Sequence, residues 1–133
     1  HPDRHALALL SVILGEGMSS RLFLELRERQ GLVYDVHSYV SHFLDTGAFT
    51  VYAGVDPAKT VDALKVILHE LVRLRDGVEE EELLKAKELP GEEGRDAFRQ
   101  RVARALLVND QLHMALVGPF RSDRRFAPLL KLR

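Results

Sequence analysis

At Gly31 the chain changes its hydrophobic period, and that switch limits the folds open to it. Before the glycine, apolar residues recur three and four apart: Ala6, Leu7, Leu10, Ile13 and Leu14 in one run, then Leu22, Phe23 and Leu26 in a second. Such spacing gathers a stripe on one side of a helix. After it, from Val33 to Phe43, β-branched and aromatic residues crowd together, and "DTG" separates them from "AFTVYAGV". This is the pattern of two strands joined by a turn. Two helices followed by a hairpin predict an α+β fold in which the helices cover one face of the sheet.

The boundaries carry their own signals. Pro2 suits the first turn of helix one and Gly15 ends it. After "GEGMSS", Ser19 or Ser20 is the natural cap for a second helix running through Arg29, which Gly31 stops. Asp56 and Pro57 open a long helix with Val61, Leu64, Ile67, Leu68, Leu71 and Leu74 inward, closed by "DG". "EEEELLKAKE" reads as a short charged helix, "LPGEEG" breaks it, and "DAFRQRVARALL" forms another. "LHMALV" reads as a last strand stopped by Gly118 and Pro119, with a frayed tail behind it. The order predicts a two-layer sandwich, a mixed and mostly antiparallel sheet with helices on one face. At 133 residues the chain has the length of a single domain.

Composition narrows the function. Nineteen basic residues stand against twenty acidic ones, too little net field to steer nucleic acid or an anionic membrane surface. With no cysteine, disulfides and thiolate metal sites are excluded; a cytoplasmic location is the expectation that fits this usage. The longest apolar stretch, Ala6 to Leu14, is far too short to span a bilayer, and the opening residues do not read as a signal segment. The sequence begins at His1 without a methionine, so a processed or missing natural start is expected.

Four motifs invite chemistry. In "HPDRH", His1 and His5 have the i, i+4 spacing of a zinc pair, but Arg4 stands where a carboxylate would handle the proton of a metal-bound water. Surface histidines are the favoured reading. The Glu79 to Glu82 run, a conceivable further ligand source, reads as a solvated face near a helix N-terminus. "FLDTGAF" has the Asp-Thr-Gly order of aspartic proteases built as dimers, with Asp45 as the acid. Those enzymes are almost wholly β, and Asp45 and Gly47 are equally what a hairpin turn requires. Finally, Arg27 on the last turn of a helix and Tyr34 at the start of a strand can converge as a donor pair for a peptide carbonyl or an oxyanion. On spacing alone the plainer account is favoured: Arg27 faces the last helical carbonyls and Tyr34 packs.

The run "ILGEGMSSRLFLELRERQGLVYDVHSY", with "DTGAFTVYAGV", "EELLKAKE" and "LVGPF" after it, resembles the carboxyl-terminal type of domain in the pitrilysin family, which includes insulin-degrading enzyme and the mitochondrial processing peptidases. The likeness is most specific from Leu14 to Tyr52. It implies a two-layer α+β domain whose sister copy carries zinc on an inverted His-x-x-Glu-His motif. The zinc-less copy supplies an arginine and a tyrosine that hold the substrate backbone across a closed chamber, and Arg27 and Tyr34 match those positions. This chain has no His-x-x-Glu-His, so it carries no cofactor of its own and is not catalytic alone. The partners implied are a zinc-bearing domain or subunit and a peptide substrate, with a homo-oligomer left open and no role for nucleic acid or membrane. By the family's pattern a first strand is missing ahead of His1, and several helices are missing near residues 89–94. The expected function is the zinc-less half of a metallopeptidase. The alternative is a non-catalytic relative serving assembly or peptide binding, as in the core subunits of the respiratory cytochrome complex.

Overall fold

The computed structural model describes residues 4–42, 47–79, 81–82, 103–120, 122 and 124–132. Helix α1 spans Arg4–Gly15. It buries Ala6, Leu9, Leu10, Ile13 and Leu14; Leu9 lies inward beside Leu10, whereas Leu7, expected inward, is half-buried. Strands β1, Val33–His42, and β2, Gly47–Val55, pair antiparallel, from Val33 opposite Val55 to His42 opposite Gly47. Helix α2 spans Thr60–Asp76, entered through a 3-10 turn at Pro57–Lys59 whose Asp56 carboxylate accepts from the Ala58 N–H at 2.9 Å.

These elements form two layers. Val33, Val36 and Ser38 of β1 are buried, and Phe49, Val51, Ala53 and Val55 of β2 pack against the same apolar cluster as α1 and α2. The opposite face carries Asp35, Tyr39 and Tyr52, all exposed. The α+β architecture with helices on one face therefore follows the sequence reading. Among the described residues the sheet has two strands and is purely antiparallel. Also among them, no helix is long and apolar enough to cross a membrane.

Three expectations need correction. The second helix is not α-helical: Phe23–Arg29 is π-wound, and Ser20 does not cap it, because its hydroxyl donates to the Gly17 carbonyl at 2.8 Å. "LHMALV" forms no strand and pairs with none among the described residues. Leu112 and Met114 are half-buried and His113 and Ala115 exposed, so the alternation reports one-sided burial rather than pairing. The tail is not frayed. Phe126 and Leu132 are buried, Phe126 meets Phe120 edge-on at 5.3 Å, and the Leu132 N–H donates to Asn109 Oδ1 at 2.6 Å. The helices expected over 79–88 and 96–107 lie largely outside the described residues; where described, 81–82 and 103–106 are helical. Residues 89–94 and Asp45 also lie outside them.

The layers approach closely at Gly15, the last residue of α1. A Cβ there would stand 2.6 Å from the Ser38 backbone nitrogen and 2.8 Å from its Oγ. Only glycine lets the helix end come this close to the strand. The Ser38 hydroxyl uses the approach: it donates to the Ser11 carbonyl at 2.7 Å and lies 3.0 Å from the Ser11 hydroxyl.

A second tie is ionic. Arg21, 7% exposed, reaches both Glu82 oxygens, Nε to Oε2 at 2.6 Å and Nη2 to Oε1 at 2.8 Å, and Nη2 also donates to the Gly77 carbonyl at 3.0 Å. It joins the entry of the π-helix to the residues beyond α2, and its Nη1 has no partner among the described residues. Burial pushes the Glu82 carboxyl up, but the Arg21 hydrogen bonds and charge, helped by the Glu79 N–H and Arg73, outweigh it and hold the group below the usual carboxylate range.

Two tests follow from these ties. Gly15→Ala is expected to cost about 2 kcal/mol in urea unfolding through backbone overlap. Gly17→Ala, at a φ of +87° but with open space around it, should cost only about 1 kcal/mol of conformational strain. Because the folded-state pKa of Glu82 is depressed, its contribution is complete above about pH 5 and fades as pH falls through the folded value. Unfolding midpoints measured from neutral pH into acid should thus fall less steeply in Glu82→Gln than in wild type.

Candidate functional site

The candidate residues lie where the π-helix hands over to β1. In a π-helix each N–H reaches back five residues, and the Gln30 N–H accordingly donates to the Glu25 carbonyl at 3.2 Å. Gly31 follows at a φ of +59°, and the Leu32 N–H then reaches back to the Leu26 carbonyl at 2.7 Å. This is a glycine-turned helix end widened by one residue. Leu22 and Leu26, four apart and fully buried, anchor the segment. Arg27, one residue beyond Leu26, is exposed, with its guanidinium carbon 5.2 Å from the centre of the Phe23 ring. The guanidinium thus covers part of a ring that the core leaves half-buried.

Tyr34 occupies a β-bulge. Val33 pairs with Val55 and Asp35 with Gly54, so β1 advances two residues where β2 advances one. In a regular strand Val33 and Val36 would point to opposite faces. The bulge absorbs the extra residue, lets both valines enter the core, and turns Tyr34 and Asp35 outward together. Tyr34 is 70% exposed. The sequence reading missed this irregularity, although two valines three apart at a strand start are its signature.

Neither the guanidinium of Arg27 nor the hydroxyl of Tyr34 hydrogen-bonds a protein group among the described residues. The plainer account, a packed tyrosine, is therefore not what the fold adopts. Neighbouring cations are engaged: Arg29 bonds Glu25 at 3.0 Å, and Lys59 Nζ donates to the Gly31 carbonyl at 3.3 Å, tying the start of α2 to the turn. Arg27 alone of these three offers its full set of donors outward.

Two other features add no site among the described residues. His1 and the side chain of His5 lie outside the described residues, and among the described residues no group of three His, Asp or Glu side chains is placed to hold a metal ion. The described residues thus do not fit zinc. A polar cleft of about 410 Å³ is lined by Arg21, Arg29 and Arg73 together with glutamates that include Glu25, Glu70 and Glu82. Each of its three arginines already pairs with a glutamate of the lining, Arg73 with the buried Glu70 at 2.9 Å among them, so the pairs read as structure.

Comparison with known proteins agrees with the fold. Residues 1–89 match the family model described as the peptidase M16 inactive domain. An uncharacterised zinc protease of Streptomyces coelicolor is 46% identical over 84 residues, 62% of this chain and 18% of that protein. The uncharacterised zinc protease YmxG of Bacillus subtilis is 39% identical over 89 residues, 66% of this chain and 22% of that protein. Among solved structures, the peptidase M16 inactive domain from Pseudomonas fluorescens superposes with a TM-score of 0.62 at 28% identity, covering 80% of this chain and 27% of that one. The matched part of the chain spans about a fifth of the curated relatives. With two thirds of its residues inside the family model and the same fold in a solved member, the chain belongs to the peptidase M16 inactive-domain family.

Proposed function

We propose that this chain is the zinc-less part of a peptidase, in which Arg27 and Tyr34 hold the backbone of an extended peptide substrate. The supporting observation is that the helix–strand junction exposes a guanidinium and a phenol whose donors no described protein group uses. A tyrosine ordinarily buries much of its ring, so a phenol left in water beside an exposed guanidinium is the unusual feature. Two unspent donors flanking one turn suit a carbonyl oxygen, and they suit it more once negative charge grows on that oxygen. The zinc belongs to a partner domain or chain, as the description of the relatives as zinc proteases supports. A cytoplasmic setting is part of the same reading.

The chain's own contribution is positioning. Arg27 accepts the substrate from solvent with its ring contact to Phe23 limiting its swing, and Tyr34, set at a bulge, presents its hydroxyl away from the core. The interaction strengthens in the transition state, so its loss should appear in kcat as well as in KM. A purely structural copy of the domain would leave both donors without a task, and this weighs against the non-catalytic alternative.

Reconstitution tests the reading. With a zinc-bearing partner domain and an unstructured peptide, Arg27→Ala is expected to lower kcat/KM by about a hundredfold. Tyr34→Phe, which removes one hydroxyl, should lower it by about tenfold. Wild-type rates in both variants would leave the pair with no part in substrate handling.

A further inference from the structure

The chain has three tyrosines, and all three stand exposed on the outer side of the hairpin: Tyr34 at 70%, Tyr39 at 42% and Tyr52 at 50%. They are not scattered. His37 lies opposite Tyr52 in the strand register, with the rings stacked 5.0 Å apart, and Tyr39 continues the row 5.9 Å from His37. A continuous aromatic strip left in water marks a surface that meets something. We propose that this strip holds a basic side chain of the bound peptide, seated over Gly54 between the Asp35 carboxylate and the Tyr52 ring.

The seat is formed by a missing side chain. Gly54 pairs directly with Asp35, and the nearest atom a Cβ there would meet is the Tyr52 hydroxyl, 3.8 Å away. The floor is bare backbone, with a carboxylate on the facing strand and a phenol leaning in from two residues away. The Asp35 carboxylate is 65% exposed, and its nearest cation is His37 Nδ1 at 3.8 Å, too long for a hydrogen bond and charged only when protonated. It is open to a stronger cation. Aromatic faces attract lysine ammonium and arginine guanidinium through their quadrupoles, and an adjacent carboxylate adds direct charge attraction. A neutral aliphatic side chain gains only the ring contact, and an acidic one is repelled. Because Tyr34 and Asp35 are consecutive at the bulge, the basic residue lies next to the stretch of peptide whose backbone Tyr34 holds. The inference rests on the reading that peptide passes Tyr34, and it adds a side-chain preference that backbone contacts cannot supply.

Direct binding separates the two ideas. The full chain is titrated against labelled, end-blocked alanine peptides that differ at one central position, lysine, arginine, norleucine, phenylalanine or glutamate, with fluorescence anisotropy as the readout. The lysine and arginine peptides should bind about three- to tenfold more tightly than norleucine, and glutamate most weakly. The preference should shrink when salt is raised from about 0.05 M to about 0.5 M. Asp35→Asn and Tyr52→Leu should abolish it at unchanged circular dichroism, and Asp35→Glu should keep it. Arg27→Ala should weaken all peptides alike and leave the ratio intact; if it weakens none while the ratio persists, the backbone reading fails and this one stands. Equal affinity for lysine and norleucine, a preference for phenylalanine, no binding of any peptide, or an unchanged ratio in both Asp35→Asn and Tyr52→Leu would overturn the proposal.

Discussion

The close seat of α1 on β1 is the constraint from which the rest of the molecule is built. Gly15 carries no side chain, so the helix end can rest against the Ser38 backbone, and the Ser38 hydroxyl satisfies the Ser11 carbonyl in the gap. Two polar groups are buried there without cost because each completes the other's hydrogen bonding. Once that distance is set, Leu10, Ile13 and Leu14 are delivered to Val36 and to the inner face of β2 in a single apolar cluster. Among the described residues the hairpin is then covered on one side only. A two-stranded sheet is marginal by itself, and its persistence here depends on the helices lying close enough to exclude water from the inner face.

The two backbone irregularities flanking Gly31 share a physical origin. The π-wound segment spans one residue more per hydrogen bond than an α-helix, and the bulge takes one residue more than the facing strand. Each reconciles a buried apolar pair with a neighbour that has to face water: Leu22 and Leu26 with Arg27, Val33 and Val36 with Tyr34. Both irregularities sacrifice regular hydrogen bonding to turn a polar residue outward. Such departures persist where the surrounding packing over-determines them, and here the fully buried leucines and the two valines do so.

Much of the fold was legible in the sequence because burial on one side leaves a periodic trace. The helical stripes of α1 and α2, the hairpin, the capping by Asp56 and the glycine stop at Gly31 were all readable from residue type and spacing. The failures have one cause. "LHMALV" alternates as a strand does, yet alternation cannot name the strand it would pair with. Phe126 sits in a polar, proline-containing tail that looked loose until an aromatic partner at Phe120 was available. Arg21 is charged, and nothing in its local pattern shows that it is buried against Glu82, sixty-one residues away. No local window reveals a distant partner.

By itself the sequence determined the α+β class and the one-sided core, because periodicity and turn chemistry are local properties of the chain; Arg27 and Tyr34 became candidates through the family resemblance, since spacing alone favoured the plainer account. Tertiary structure alone decided that, among the described residues, neither the arginine guanidinium nor the tyrosine hydroxyl hydrogen-bonds a protein group. It also decided that Ser38 fills the space left by Gly15, and that His37, Tyr39 and Tyr52 meet in one strip above an open Asp35. Those outcomes depend on which residues from separate segments come to lie opposite one another. Register and packing set this, and neither can be read from spacing along a single strand.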